Sequence, residues 1–156
     1  MSQPKLHPLI QSLSDYKPTE HERLSWAEYF IGQALMASFR SSSKKLQVGC
    51  VITRDNRVIG TGYNGYFPGA QHISINVNNH EVNTMHAEQN AIAFVAKNGP
   101  STDGATLYVT HYPCLNCTKM IIASGIKNVI YLHNYNNDDV SAKLFLDNSV
   151  DVKKFQ

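Results

Sequence analysis

The order of apolar and polar positions predicts a domain in which helices and strands alternate. Two apolar runs rich in β-branched residues, 46–53 and 57–63, flank Asp55 and Asn56, and this pattern predicts a hairpin of two strands. Helical and strand-like periods then alternate, with helices predicted over 84–97, 113–124 and 138–147 and strands over 105–110, 128–132 and 150–155. A hairpin followed by alternating strands and helices implies a mixed sheet covered by helices.

The first part of the chain differs from the rest. Residues 1–18 contain three prolines and predict an N-terminal arm that is either loose or laid on a neighbouring subunit, which leaves 19–156 as a single domain. Thr19 and Glu22 have the spacing of a capping box and predict a helix start. The helix should carry a stripe of core residues at helical spacing, namely Trp26, Phe30, Ala34 and Ala37.

Composition narrows the class of protein. The chain has 156 residues, 42% of them hydrophobic, which is enough for one domain with a real core. Its net charge is only +2 and its Lys and Arg residues are scattered, so we expect no nucleic-acid partner. No apolar run reaches the ~18 residues of a membrane span and no signal-peptide core is present, so a cytoplasmic protein without a membrane partner is expected.

The three cysteines fall into two kinds. A disulfide framework is not expected, because the count is odd and the chain is long enough to fold without one. Cys50 lies inside an apolar strand-like run, which predicts a small buried side chain. Cys114 and Cys117 are three residues apart at a predicted helix start, where unpaired N–H groups and the positive end of the dipole favour thiolates.

Candidate chemistry comes from His86-Ala-Glu88 together with the Cys114 and Cys117 pair. One imidazole and two thiolates suit a single zinc ion and leave a fourth position open for water. Zinc at such a site lowers the pKa of water, and Glu88 is then free to act as an acid and base. His86 and Glu88 can serve one site if they lie at a helix start, with the metal beyond the end of that helix.

Other interpretations of these motifs stay open. A Cys-x-x-Cys pair could be a redox pair, and a purely structural zinc would require a fourth protein ligand such as His111 or His133. His7, His21, His72 and His80 are expected on the surface. The stretch Gly60-Thr-Gly-Tyr-Asn-Gly65 matches a dinucleotide fingerprint, but it leaves a hairpin strand and no helix pattern follows it. We therefore favour glycines that let the backbone approach some ligand closely.

A His-x-Glu motif with a distant Pro-Cys-x-x-Cys is the signature of zinc-dependent nucleobase deaminases. Beyond this signature, the sequence resembles the deoxycytidylate (dCMP) deaminases of the cytidine-deaminase-like superfamily. The matching stretches are Ser25-Trp-Ala-Glu-Tyr-Phe30, Arg40-Ser41, Val48-Gly-Cys-Val-Ile52, Gly62-Tyr-Asn-Gly65, His86-Ala-Glu-Gln-Asn-Ala91, Ser101-Thr-Asp-Gly104, Tyr108-Val-Thr-His-Tyr-Pro-Cys114 and Asn116-Cys-Thr-Lys119.

The resemblance implies a three-layer α/β/α sandwich around a mixed five-stranded sheet, assembled as a homo-oligomer, often a hexamer. It implies hydrolysis of dCMP to dUMP and ammonia, which supplies dTMP synthesis, with activation by dCTP and inhibition by dTTP. Mg²⁺ would accompany a bound triphosphate effector. Family members often carry extra cysteines before the His-Ala-Glu motif. Here the loop 70–83 has His72 and His80 but no cysteine, so one Zn²⁺ per chain is expected.

The resemblance also implies residues that bind the substrate. The Ala87 backbone would orient the base carbonyl, Asn64 would contact the sugar, and Arg40 would bind the 5′-phosphate with help from Tyr135. A helix C-terminal cation is an equally good interpretation of Arg40.

An effector site is expected at Gly62, Tyr63 and Gly65, because this stretch and the loop 70–83 lie between the hairpin and the catalytic helix.

Three functions remain to be separated. The first is a deaminase of dCMP, or of dCTP or a related free nucleotide. The second is a deaminase of nucleic acid such as transfer RNA, which the scattered basic residues and the stretch Gly62-Tyr-Asn-Gly65 argue against. The third is a non-catalytic zinc-binding paralogue, which the presence of Glu88 argues against.

Overall fold

A mixed five-stranded sheet forms the centre of the molecule. In the computed structural model, which describes residues 6–19 and 23–156, the strand order is β2-β1-β7-β8-β9. Antiparallel pairing joins β1 to β2 and to β7, while β7, β8 and β9 run parallel. The strands are β1 (Gly49–Arg54), β2 (Arg57–Tyr63), β3 (Gly65–Tyr66), β4 (Asn76–Val77), β5 (His80–Glu81), β6 (Thr84–Met85), β7 (Thr106–His111), β8 (Asn128–His133) and β9 (Asp151–Lys154).

Helices cover both faces of this sheet. They are α1 (Pro8–Asp15), α2 (Trp26–Ser38), α3 (Ala87–Asn98), α4 (Leu115–Ala123) and α5 (Asp139–Asp147). Side chains of β1 alternate between the faces: Cys50 and Ile52 pack in the cluster that contains α3, α4 and α5 residues, whereas Val51 packs with Phe30 of α2. The predicted three-layer α/β fold with a mixed five-stranded sheet is therefore confirmed.

The hairpin of β1 and β2 turns where the sequence predicted. Asp55 and Asn56 have φ of 50° and 55°, the left-handed pair that a two-residue hairpin loop requires. The first strand starts at Gly49 rather than at 46. The reason is that the backbone of Leu46 and Val48 bonds Asn64, a residue beyond the end of β2, mainly through its side chain.

The α2 helix begins later than predicted. Its first residue is Trp26, because Ser25 caps it and the Glu28 carboxylate accepts a hydrogen bond from the Ser25 N–H. The expected start at Thr19 is wrong, and residues 20–22 lie outside the described part of the chain. Phe30, Ala34 and Ala37 are buried as predicted, but Trp26 is 50% exposed, since it occupies the first, solvent-facing turn.

The predicted arm contains the short helix α1. None of its residues is buried, and Leu13 and Tyr16 each expose more than half of their surface. Residues 1–5 of the arm lie outside the described residues. In the part of the chain that the structure describes, no helix is both long and apolar enough to cross a membrane.

The two helices that carry the candidate ligands begin at the ligands themselves. His86 is the N-cap of α3, so this helix begins later than the predicted residue 84, because residues 84 and 85 pair with β3 as strand β6. Cys114 is the N-cap of α4, so Pro113 precedes that helix instead of lying in its first turn. The loop 70–83 is not wholly irregular, since it contains the small hairpin of β4 and β5.

Candidate metal centre and active site

Three soft ligand atoms meet where α3 and α4 begin. The Nδ1 atom of His86 lies 3.4 Å from the Sγ atom of Cys114 and 3.4 Å from that of Cys117. All three ligand atoms lie within 4.8 Å of one another. Cys114 and Cys117 approach His86 from one side because they occupy the cap and the third residue of the same helix.

These separations fit one tetrahedral zinc ion. Zinc bonds of about 2.0–2.1 Å to nitrogen and about 2.3 Å to sulfur require about 3.5 Å between nitrogen and sulfur. His111 and His133 do not belong to the group, and their rings pack on each other with centroids 5.1 Å apart. The described residues thus provide three protein ligands, the number typical of a catalytic zinc with an open position.

The pKa shifts of Cys114, Cys117 and His86 indicate that this group of side chains can hold a cation. Cys117 donates a hydrogen bond to Cys114, which lowers the pKa of Cys114 to about 4. The same hydrogen bond, together with burial, raises the pKa of Cys117. The pKa of His86 is raised, chiefly by its hydrogen bond to the Cys114 thiolate. One thiolate and one thiol therefore share a proton, and a zinc ion would replace that proton so that both sulfurs become thiolates.

Glu88 lies beside the ligands in the first turn of α3. It is only 4% exposed, and burial is the main cause that raises the pKa of its carboxyl group. A raised pKa makes this carboxyl group hold a proton more readily than an exposed carboxyl group does, which suits a group that must first accept a proton and then donate it.

A cavity of about 180 Å³ opens over Glu88 and the ligands. Three of the predicted substrate residues, Asn64, Ala87 and Tyr135, line it. Ala87 is the first residue of α3, so its backbone N–H has no partner within the helix. Arg40 is exposed on the turn after α2 and is not part of the lining, whereas the cation that lines the cavity is Lys45.

Asn64 organises one wall of this cavity. Its Oδ1 atom accepts hydrogen bonds of 2.8 Å from the Ser41 hydroxyl and from the Val48 N–H. Its Nδ2 group donates to the Leu46 carbonyl at 2.8 Å, which leaves one Nδ2 proton for a ligand. The contact between Ser41 and Asn64 was not predicted from the sequence, since it spans 23 residues and no local pattern marks it.

The glycines of 60–65 have a structural use. A Cβ on Gly62 would lie 2.3 Å from the Ala87 carbonyl oxygen and 2.5 Å from the Ala91 nitrogen. At Gly62, the group that approaches closely is therefore the backbone of α3 rather than a ligand. Tyr63 accepts a hydrogen bond from the Asn90 side chain at 2.8 Å, and Gly65 pairs with Met85, the residue before His86.

Fold and site together define a class of protein. A mixed sheet with a histidine and two cysteines at two converging helix starts, beside a buried glutamate, is typical of zinc-dependent nucleobase deaminases. Residues 24–133 match the family described as the cytidine and deoxycytidylate deaminase zinc-binding region, and the chain belongs to this family.

Relatives and solved structures agree with this assignment. The chain is 42% identical over 139 residues to ComE operon protein 2 of Bacillus subtilis, covering 86% of this chain and 74% of that one. It is 34% identical over 140 residues to the deoxycytidylate deaminase of Homo sapiens, covering 83% and 78%. The crystal structure of a dCMP deaminase from cyanophage S-TIM5 in complex with dCMP and dUMP is similar, with a TM-score of 0.73, 27% identity and coverage of 97% and 100%.

Proposed function

We propose that this protein hydrolyses dCMP to dUMP and ammonia. The observation that carries the proposal is the group of His86, Cys114 and Cys117 ligand atoms, all within 4.8 Å of one another and next to the buried carboxyl group of Glu88. Similarity to a structure solved with dCMP and dUMP supports this substrate over other cytosine compounds.

The proposed mechanism assigns the proton transfers to Glu88. A zinc ion held by His86, Cys114 and Cys117 would lower the pKa of water towards neutrality. Glu88 accepts a proton from the attacking water and passes it to N3 of the base, which makes C4 electrophilic. It then transfers the second proton of that water to the leaving amine, so that one water is consumed and one ammonia is released. Burial of Glu88 keeps these protons from bulk solvent.

The wall of the cavity provides hydrogen-bond donors that can bind the substrate. The free N–H of Ala87 orients the base carbonyl, and the remaining Nδ2 proton of Asn64 donates to the sugar. Arg40, on the exposed turn after α2, is the proposed ligand of the 5′-phosphate, together with Tyr135 at the mouth of the cavity, where Lys45 also lies.

An absorbance assay tests the proposal on the purified, zinc-loaded protein. The substrates are dCMP, dCTP, cytidine and a transfer RNA, each followed by loss of the cytosine or adenine chromophore and by release of ammonia. We expect kcat/KM for dCMP to exceed that for each other substrate by at least about 10-fold, because the loss of one charged hydrogen bond is worth about 10- to 100-fold. Preference for dCTP or transfer RNA, or no turnover of any, would refute it.

We further propose regulation by dCTP and dTTP in a homo-oligomer, with hexamers favoured. A groove of about 360 Å³ runs past Lys44, Gly65 and the β4–β5 hairpin. Gly65 pairs with Met85 and Asn90 holds Tyr63, so a ligand in this groove has two short connections to the start of α3. An effector acts only if it binds active and inactive arrangements differently.

Kinetics on the intact oligomer test the regulation. We expect sigmoidal dCMP dependence that becomes hyperbolic with dCTP and Mg²⁺ and returns to sigmoidal with dTTP. Hyperbolic kinetics that respond to neither triphosphate would contradict it, and light scattering on the same sample reports the size of the assembly. The proposal includes supply of dTMP synthesis in the cytoplasm, a reducing compartment in which Cys114 and Cys117 do not form a disulfide.

A further inference from the structure

His111 lines the cavity but has no part in the mechanism above. It is the last residue of β7 and it follows Thr110, which is only 1% exposed. The Thr110 hydroxyl oxygen accepts a hydrogen bond of 3.1 Å from the Gly49 N–H and lies 2.9 Å from Nδ1 of His111. Among the described residues the Thr110 hydroxyl has no other acceptor for its hydrogen, so donation to Nδ1 of His111 is the bond that satisfies this buried group.

This arrangement favours one tautomer of the His111 ring. Nδ1 accepts from Thr110, so a neutral ring carries its hydrogen on Nε2. Burial, and then the neighbouring His133, lower the pKa of His111, which favours that neutral form. Within residues 6–19 and 23–156, no side chain or backbone group forms a hydrogen bond with Nε2, so a donor on the cavity wall is left for a ligand.

The position of His111 indicates which part of a nucleotide it meets. Ala87 is fully buried and Glu88 nearly so, and together they form the bottom of the cavity, where the reacting base must lie. His111 is partly buried and contacts two exposed rings, with centroids 5.1 Å away for His133 and 6.0 Å away for Tyr135. A base that reaches Glu88 therefore leaves its sugar and phosphate on the side of these rings.

We propose that His111 donates a hydrogen bond from Nε2 to the 5′-phosphate of the bound nucleotide and so selects nucleotides over nucleosides. Thr110 is a positioning residue, since it acts only through the His111 ring. The inference rests on the proposed function for the kind of ligand, but it concerns binding and can be tested without turnover.

Equilibrium binding of dUMP and of deoxyuridine, the product with and without its phosphate, tests the inference on the zinc-loaded protein. The two key variants differ in where they place an amide N–H. His111→Gln can place it near the former Nε2, whereas His111→Asn can place it only near Nδ1. We expect His111→Asn to weaken dUMP binding about 10- to 100-fold, the loss of a hydrogen bond to a charged group, and to change deoxyuridine binding less than about 3-fold. We expect His111→Gln to stay within about 3-fold of the wild type for both ligands.

Thr110→Val and Thr110→Ser extend the test to the positioning residue. The Ser variant keeps the hydroxyl and should bind dUMP as the wild type does, whereas the Val variant should lose part of the dUMP affinity and little of the deoxyuridine affinity. Equal losses for the two ligands, equal behaviour of His111→Asn and His111→Gln, or a wild type that binds both ligands equally would overturn the inference. Loss of zinc from His111→Asn would also overturn it, because His111 would then be a metal ligand. A failure to turn over dCMP with these binding results intact would refute only the proposed function.

Discussion

The two ends of the cavity are built in different ways. The end that we call buried contains the buried residues Ala87, Glu88 and Cys117. It also contains the partly buried Cys114 and the exposed His86, and all five lie at the starts of two helices packed on the sheet. The mouth consists of residues from several separate segments. Ser43 and Lys45 lie in the loop between α2 and β1, Asn64 lies between β2 and β3, His111 ends β7, and Tyr135 follows β8.

The buried end is held by short-range geometry. A helix cap and the residues just after it have fixed directions, so a spacing of two or three residues is enough to aim the side chains. The mouth is held by single hydrogen bonds between distant parts of the chain, such as Ser41 to Asn64 and Gly49 to Thr110. We therefore expect changes at the buried end to abolish the reaction and changes at the mouth to alter affinity and specificity.

The largest effect is expected from Cys114→Ala. Removal of one ligand leaves Cys117 and His86 without a shared cation, so zinc content should fall to near zero, activity should be lost and the melting temperature should drop. Metal analysis and thermal unfolding measure these changes, with Cys50→Ala as the matched cysteine control. A Cys114→Ala protein that retains its zinc would show that another residue completes the site.

Glu88→Ala should separate catalysis from metal binding. All three ligands remain, so zinc should stay at one per chain, while kcat should fall by about 10²- to 10⁴-fold because proton transfer is lost. Glu88→Gln, which keeps the shape of the side chain, should lose as much activity as Glu88→Ala. If zinc disappears together with activity, Glu88 is a ligand and the assignment of the open position fails.

The same contrast explains what could be predicted from the sequence. The clustering of His86, Cys114 and Cys117 could be predicted because their chemistry lies in two local motifs. The hairpin turn could be predicted because Asp55 and Asn56 favour left-handed backbone. The start of α2 was misplaced because Thr19 and Ser25 both satisfy capping rules, and only the packing of Phe30 on Val51 and Tyr108 fixes the helix in place.

No local pattern in the sequence predicts the contacts at the mouth of the cavity. Thr110 meets Gly49 across 61 residues, and the hydroxyl that orients His111 resembles any threonine in a strand. The distance of Arg40 from the cavity wall likewise depends on the turn that ends α2, which helical spacing alone does not define.

Ser41→Ala should produce an intermediate effect limited to the mouth. The change removes the hydroxyl that donates to Asn64 and that accepts from the Ser43 N–H, so the loop that carries Lys45 loses part of its anchor. We expect KM for dCMP to rise about 3- to 10-fold, the value of one ordinary hydrogen bond, with kcat within about 2-fold. Steady-state kinetics measure this, and the exposed neighbour Ser42→Ala is the control. A fall in kcat with KM unchanged would place Ser41 at the buried end instead.

The smallest effect is expected from Cys50→Ala. Cys50 is fully buried in the core cluster with Ala87 and Ala91, so the loss of its sulfur should cost about 1 kcal/mol of stability and leave zinc content and activity unchanged.

A pH series makes this last prediction sharper. Burial, and secondarily Glu88, raise the pKa of Cys50 well above its usual value, so the folded protein keeps the thiol protonated after the unfolded chain has ionised. The unfolded state then binds fewer protons, and stability falls as pH rises above the ordinary thiol pKa of about 8.5. The alanine variant lacks this loss, so the stability difference between it and the wild type should narrow between about pH 8 and pH 10. Denaturant unfolding across that range measures the difference, and a gap that widens with pH would mean that Cys50 ionises more easily in the folded protein.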